Sequence, residues 1–302
     1  MAVVIKVDRW VWIQGKWWRI GLLGAFKVKT IQIKGYMTMT IEERIKMEAE
    51  LASYSGDDRV VSSIELFDII RERESQSAQV SMMSGIPSLD RAIQSFDGGE
   101  LTVISGDTGM GKTLFSQTLT FEFFKQGKYV LWFSYEVRAS QFLSQFGYPL
   151  PAFLLPHELS SSSMDWIRKR MIEAKLKYGL DAVFIDHLHF LIDMVSRNNI
   201  SLEIGSVMRT LKKMALELNV AIFILAHTNR GKTDSGEPDI FSLRDSSMVG
   251  CESDNVLFVW RLVNTPDQAM IKVSKNRKFG VYNFKVKLQK QGKYLREVYD
   301  VS

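Results

Sequence analysis

Leu101-Thr-Val-Ile-Ser105 is an apolar run that breaks at once into Gly106-Asp107-Thr108-Gly109-Met110-Gly111-Lys112-Thr113. The second stretch matches the pattern G-x-x-x-x-G-K-[ST], and the apolar run before it supplies the strand such a loop needs. Glycines let the backbone curl so that successive N–H groups face one phosphate at a helix N-terminus, where the helix dipole favours negative charge. Residues 106 to 113 are therefore expected to line a nucleotide site. Lys112 is placed to neutralise β- and γ-phosphate charge, and the Thr113 hydroxyl to ligate Mg²⁺, with ATP as the nucleotide.

Working outward, Val130–Ser134, Val183–Asp186, Val220–Ala226 and Val256–Trp260 are further short apolar runs rich in β-formers. Helical patterns lie between them at Leu114–Lys125, Met164–Tyr178 and Leu202–Leu218, the last with Val207, Leu211, Met214 and Leu218 at helical spacing. Strands apolar throughout, joined by helices, predict an α/β fold with a mostly parallel central sheet covered on both faces. No repeat of 20–50 residues is visible.

Three carboxylate- or imidazole-tipped strands then attract attention. Asp186 ends Leu180-Asp-Ala-Val-Phe-Ile-Asp186 and is expected beside the phosphate loop as a second Mg²⁺ ligand. Glu136 follows Tyr129–Tyr135, read as the strand next to that loop, where a carboxylate can orient and deprotonate water. It reads alternatively as the acid opening a helix at Val137–Ser140. His227 ends a strand before Thr228-Asn229-Arg230, either as a γ-phosphate sensor or as a structural histidine. Val273-Ser-Lys275-Asn-Arg277-Lys-Phe-Gly280 lies between two strand-like runs. Its guanidinium is placed either to reach the γ-phosphate of a neighbouring subunit or simply on a basic surface hairpin. His187-x-His189 suggests a metal, but the only cysteine is Cys251 and nothing nearby completes a ligand set, so no zinc-type site is expected.

Composition narrows the classes. The chain has 302 residues, 46% hydrophobic and 24% charged, which excludes wholesale disorder, and one cysteine excludes a disulfide framework. No apolar window is long enough to cross a membrane. The net charge of +5 is unevenly spread. Residues 1–36 hold seven cations and one acid, and residues 272–296 hold nine cations and no acid. Such segments point either to a polyanion partner or to a solvated basic face.

The chain divides on this reading into a small basic Trp-rich β segment (1–38), linker helices (39–80) and the main α/β domain (81–302). In the first, Trp10–Ile13 and Trp17–Ile20 flank the hairpin signal Gln14-Gly15-Lys16, and the alternation through Phe26–Val28 shifts phase at Thr30, predicting a bulge. Four tryptophans there suit packing of a very small sheet, with base stacking as the alternative. A leader ahead of Met37 or Met39 stays open. Thr40-x-x-Glu43 and Ser62-x-x-Glu65 are capping boxes opening two helices. The second helix carries Ile64, Leu66, Phe67 and Ile70 as an apolar stripe, and the polar run Arg71–Ser77 after it reads as a linker.

With these residues in view, the stretch from Ser84 to Val298 resembles the RecA-type motor domain of DnaB-like hexameric replicative helicases. Within that group it is most similar to the mitochondrial Twinkle and phage primase-helicase branch. The resemblance is carried by Ser84-Gly-Ile-Pro-Ser-Leu-Asp90, Gly99–Gly106 into the phosphate loop, Leu131-Trp-Phe-Ser-Tyr-Glu136 and Ile185-Asp186. Leu243-Arg-Asp-Ser-Ser247, Asp254-Asn-Val-Leu257 and Val273-Ser-Lys-Asn-Arg277 complete it in the family's order. It implies a RecA-like P-loop NTPase core closing with a C-terminal β-hairpin, and an ATP-dependent DNA helicase that works as a homo-oligomer, a hexameric ring. The ring would act on single-stranded DNA and forked duplex DNA, with a primase, polymerase or loader as partners.

The same resemblance assigns roles. Glu136 becomes the catalytic glutamate, Asp186 the Walker B acid, His227 the γ-phosphate sensor, and Arg277 an arginine finger acting in trans with help from Lys275. Arg244 and Asp245 begin a DNA-facing loop in the central channel, and the helix at Ser63–Arg73 falls where a linker helix packs on the next subunit. It implies a cytoplasmic setting in a bacterial or phage-infected cell, with a mitochondrial one left open. Ser247 departs from the family's common glycine, His187 and His189 replace the residues usually found after the Walker B acid, and the stretch before Ser84 is too short for a helical amino-terminal or primase domain. Competing readings on the same fold are a RecA/RadA-like recombination or mediator ATPase and a non-motor regulatory ATPase.

Overall fold

The computed structural model describes residues 9–13, 16–20, 31–33, 37–39, 41–52, 60–76, 79–192, 200–228, 237–238, 243, 246–262 and 265–298. Residue contacts divide the chain into two units, Met1–Arg73 and Glu74–Ser302. In the first, β1 (Arg9–Ile13) and β2 (Lys16–Ile20) pair antiparallel with Ile13 opposite Lys16, the register of a tight hairpin. A second hairpin, β3 (Ile31–Ile33) with β4 (Met37–Met39), was not legible in the sequence pattern. The turn at Gln14-Gly15, the run Phe26–Val28, the bulge at Thr30 and the capping Thr40 lie outside the described residues.

Helix α1 (Ile41–Ala52) starts where the capping box placed it. In α2 (Ser63–Gln76) the Ser62 hydroxyl accepts the Glu65 N–H at 3.2 Å, the first half of the second box. The run Arg71–Gln76 is helix, not linker. Arg, Glu and Gln are good helix formers, and no Gly or Pro interrupts them, so polarity alone did not end the helix. Ile64, Leu66, Phe67 and Ile70 on α2 are all exposed.

The second unit is the predicted α/β core. It contains β5 (Ser81–Met82), α3 (Pro87–Ile93), β6 (Phe96–Asp97), β7 (Leu101–Gly106), α4 (Lys112–Lys125), β8 (Val130–Ser134), α5 (Ala139–Ser144) and α6 (Met164–Tyr178). There follow β9 (Ala182–Asp186), a 3₁₀ turn (Leu188–Leu191), α7 (Ile200–Leu218), β10 (Ala221–His227) and α8 (Ser246–Glu252). The chain closes with β11 (Asn255–Leu262), β12 (Thr265–Asn276), β13 (Phe284–Gln291) and β14 (Tyr294–Glu297). Local chemistry sets many of these bounds. Ser163 caps α6, its hydroxyl accepting the Trp166 N–H at 3.4 Å, and Gly179 ends that helix at φ 78°.

Eight strands form one sheet in the order β14-β13-β12-β11-β7-β10-β9-β8. The five from β11 to β8 are parallel, and β12 to β14 continue the sheet as an antiparallel meander, extending the expected hairpin by one strand. One face packs on α3, α4 and α5, the other on α6 and α7, and the two sets of buried side chains form separate clusters. Across the first face runs an aromatic ladder: Trp132 on Phe184 with ring centroids 4.7 Å apart, and Phe184 on Phe223 at 4.4 Å. Each such contact adds about 0.5–1.5 kcal/mol beyond burial. The ladder therefore locks the register of β8, β9 and β10, and with it the residues at their C-terminal ends.

This order corrects one expectation. The strand leading to Glu136 is not next to the phosphate-loop strand; β10 and β9 lie between β7 and β8. Parallel strands need crossovers, and no property of one strand's sequence states which neighbour it takes.

The basic stretch 272–296 is mostly engaged within the chain. Lys285 pairs with Glu237 at 2.6 Å, Lys278 with Asp97 and Arg296 with the buried Glu122. Lys272 donates to Pro238 O at 3.3 Å. Much of the charge that suggested a polyanion therefore has partners of its own.

Candidate nucleotide site

Register brings the site together. Gly106, the last residue of β7, lies beside His227 of β10; Asp186, the last of β9, lies between Leu225 and Ser134; and Glu136 follows two residues after Ser134. All sit at the C-terminal ends of parallel strands, where α/β sheets bind ligands. At Gly106 a Cβ would stand 2.2 Å from Val259 O, so only glycine lets β11 approach this closely. Gly111 opens α4 at φ 102°, a left-handed conformation that glycine adopts freely.

A pocket of about 210 Å³ is lined by Thr108, Gly109, Gly111, Lys112, Thr113, Leu114, Glu136, His227 and Arg261. Lys112 is 6% exposed and donates to Gly106 O at 2.8 Å and Asp107 O at 3.0 Å, with His227 Nδ1 at 3.2 Å. Burial pushes its pKa down, opposed by the charges of Asp186, Glu136 and Asp107. The ammonium is thus held by backbone carbonyls and left ready for a stronger anion. Thr113 Oγ1 donates to Asp186 Oδ2 at 3.2 Å. The Asp186 carboxyl is pushed up to about 7, by burial first and by Glu136 second, while Thr113 and Lys112 pull it down. Two carboxylates converging in a desolvated place beside a hydroxyl fit a hard divalent cation such as Mg²⁺.

That shift has a stability consequence. An acid with a folded pKa of about 7 and an ordinary value of 3.8 is neutral in both states at low pH and charged in both above neutrality. The burial penalty therefore grows as pH rises from about 4 to about 7 and is complete above it. Asp186→Asn is expected to raise the Tm of metal-free protein above pH 7, with the gain vanishing below about pH 4. Thermal unfolding in a chelator from pH 4 to 8 checks this, and a pH-independent gain would contradict it.

Four features of the site were not read from sequence. Arg261 near the end of β11 adds a second cation to the pocket; its only local signal is a charge interrupting an apolar strand. Thr228 donates its hydroxyl to Asp107, tying the residue that follows β10 to the phosphate loop. His187 stacks edge-on against His227, with centroids 4.5 Å apart, and is pushed down to about 4 by burial first, then by His227, His189 and Lys112. Ser134, opposite Asp186, is 4% exposed.

Lys275 and Arg277 lie elsewhere. Asn276 pairs with Asn255, and Asn255 with Thr102, so both cations stand at the end of the sheet where the parallel strands begin. That end is opposite to the phosphate loop of the same chain. Lys275 Nζ donates to the carbonyls of Gly250, Cys251 and Ser253, capping the C-terminus of α8. Arg277 donates to Asp254 Oδ1 at 3.0 Å and to Cys251 O at 2.8 Å, with about half its side chain exposed. Arg244, Asp245, Asn229 and Arg230 lie outside the described residues. Leu243 before them is buried and bridges to Thr228.

Residues 81–146 and 153–296 match the family model described as DnaB-like helicase C terminal domain. The replicative DNA helicase DnaB of Haemophilus influenzae is 24% identical over 253 residues, covering 71% of this chain and 54% of that protein. The probable replicative DNA helicase of Trieres chinensis is 25% identical over 272 residues, covering 75% and 59%. The chain thus spans between half and two-thirds of the length of these relatives. Among solved structures, a DnaB-like replicative helicase described with its interactions with primase superposes with a TM-score of 0.65 at 20% identity, over 86% of this chain and 72% of that one. At that identity the likeness concerns the fold alone. Among the described residues, no helix is long and apolar enough to cross a membrane.

Proposed function

The chain belongs to the DnaB-like helicase C-terminal domain family, and from that membership we propose that it is an ATP-driven DNA helicase motor. Copies of it form a ring, hydrolyse ATP at subunit interfaces, translocate on single-stranded DNA and open forked duplex during DNA replication. The observation that carries this reading is the separation of two half-sites. Lys112, Thr113, Asp186, Glu136 and His227 converge at one end of the sheet, while Arg277 stands at the other. A guanidinium there reaches a phosphate loop only if that loop belongs to another copy.

In this mechanism Lys112 leaves its carbonyls for the β- and γ-phosphates. Thr113 and Asp186 would hold Mg²⁺, which would supply positive charge to offset that of the phosphates. Glu136 takes the proton from the water that attacks the γ-phosphorus. His227, beside Lys112, registers whether the γ-phosphate is present, and the Thr228–Asp107 contact passes that state to the loop leading to Arg244 and Asp245. The exposed stripe of α2 suits docking on the next copy. A primase, polymerase or loader are the proposed protein partners, in a cytoplasmic setting.

Electron microscopy with ATP and single-stranded DNA tests the assembly. Closed six-fold rings support the motor, and helical filaments would replace it with a strand-exchange ATPase on the same fold. For the DNA contact, Arg244→Ala is expected to weaken single-stranded DNA binding without weakening ATP binding. It should also lower the slope of log K against log salt by about one, the contribution of one phosphate contact. Titrations at several salt concentrations check it, and equal affinity for parent and variant would remove Arg244 from the channel.

A further inference from the structure

The turn between β12 and β13 is built to present aromatic side chains. Asn276, 3% exposed, holds it closed: its N–H donates to Val281 O at 3.0 Å, its carbonyl accepts from Gly280 N at 3.0 Å, and its Oδ1 accepts from Phe279 N at 2.7 Å. Its Nδ2 donates to Asn255 Oδ1 at 2.8 Å, anchoring the turn to β11. Lys278 pairs with Asp97 and sits 5.1 Å from the Phe279 ring centroid. Outward, this ordered turn offers Phe279 at 41% and Tyr282 at 78% exposure. Large aromatics on a preorganised turn are effective interface anchors, because little further ordering is needed on binding.

At the opposite end of the parallel strands, a second cavity of about 460 Å³ shares Glu136 with the phosphate pocket. Trp132, Phe142, Leu155 and Ala139 form an apolar wall, and Ser134, Arg138 and His157 join Glu136 as its polar part. The Ser134 hydroxyl is buried and has no hydrogen-bond partner among the described residues. Buried hydroxyls normally find one, so a cavity with an aromatic wall and an unpaired hydroxyl suits an aromatic occupant that carries a polar tip.

We infer that the aromatic tip of this turn, in a second copy of the chain, docks in the cavity beside Glu136, with Tyr282 entering and its phenol meeting Ser134 Oγ. The inference rests on the reading that Arg277 acts in trans. Tyr282 follows Arg277 by five residues, a reach of at most about 17 Å even if extended, and the Asn276 hydrogen bonds keep it closer. Once Arg277 approaches a neighbour's γ-phosphate, the tip must meet surface next to that phosphate pocket, and Glu136 borders both cavities. The tip would thereby report to each site that its neighbour is seated.

Cross-linking tests the contact directly. In a Cys251→Ser background, which removes the single cysteine, Tyr282→Cys with Ala139→Cys is oxidised in assemblies formed with Mg²⁺, a non-hydrolysable ATP analogue and single-stranded DNA. Covalent multimers that require both cysteines are expected. Tyr282→Ser should raise the subunit concentration for half-maximal ATPase by about tenfold, the usual effect of truncating an aromatic anchor. Tyr282→Phe and Ser134→Ala should each raise it less, and together no more than either alone. Absence of the cross-link in assemblies confirmed by size overturns the docking. If mixed Lys112→Ala and Arg277→Ala subunits regain activity in that case, the trans finger stands without it. A cross-link without such rescue leaves the docking standing and removes the finger.

Discussion

Arg277→Ala is expected to bind ATP and Mg²⁺ normally, to assemble, and to hydrolyse ATP about 10³–10⁵-fold more slowly than the parent, the range an arginine finger contributes elsewhere. The argument is positional. Every other charged group proposed to act on the γ-phosphate sits at the C-terminal end of the parallel strands. Arg277 stands at the far end, on a turn that Asn276 keeps ordered. In the single chain it is engaged by Asp254 and the Cys251 carbonyl, so reaching a phosphate means exchanging those partners. Because losing the Asp254 contact can lower stability on its own, a mixing experiment carries the decision. Lys112→Ala lacks the phosphate-loop cation and Arg277→Ala lacks the finger, so a mixed ring contains some interfaces with both intact. Steady-state ATPase of the mixture should exceed that of either variant. A silent mixture, with co-assembly shown by differently tagged subunits, would contradict action in trans at independent interfaces.

Glu136→Gln should keep nucleotide affinity and lose turnover by about 10²–10⁴, the scale of a lost general base. A second readout separates this from a general disturbance. Glu136 is the second largest reason that the Asp186 carboxyl is raised, after burial. Removing its charge lowers the Asp186 pKa and with it the penalty for ionising Asp186 in the fold. Metal-free Glu136→Gln should therefore melt higher than the parent near pH 7 and equally near pH 4. Single-turnover hydrolysis and the Tm-against-pH curve measure the two effects. Parental turnover would send the search to another acid, and a lower Tm at pH 7 would mean that the carboxylates do not repel.

Much of the site was legible because its chemistry is local. The spacing of Gly106, Gly111, Lys112 and Thr113 encodes a loop whatever surrounds it, and the structure curls it around the Lys112 ammonium. Asp186 and His227 could be read because each ends an apolar run; His227 lines the pocket and Asp186 meets Thr113 at its edge. The helical pattern Met164–Tyr178 matched α6 for the same reason, since the caps that bound it, Ser163 and Gly179, are satisfied within a few residues. What stayed hidden depends on partners far along the chain. Arg261 is one charge in a strand until β11 settles beside β7, where Gly106 admits the Val259 carbonyl. The cations of 272–296 look like a patch until Glu122, Asp97 and Glu237 arrive to meet them.

By itself, then, the amino-acid order determined the kind of fold, the phosphate loop and the identity of the groups at its strand ends, since apolar periodicity, glycine spacing and caps act over a few residues. Strand order was decided only in three dimensions. That β10 and β9 lie between the phosphate loop and the strand of Glu136 depends on the Trp132–Phe184–Phe223 ladder, whose members are some forty to fifty residues apart in sequence. The same holds for the position of Arg277 at the far end of the sheet, set by the antiparallel return of β12 on β11. Long-range pairing is selected by which faces bury best together, a property of the whole packed sheet that no single strand carries.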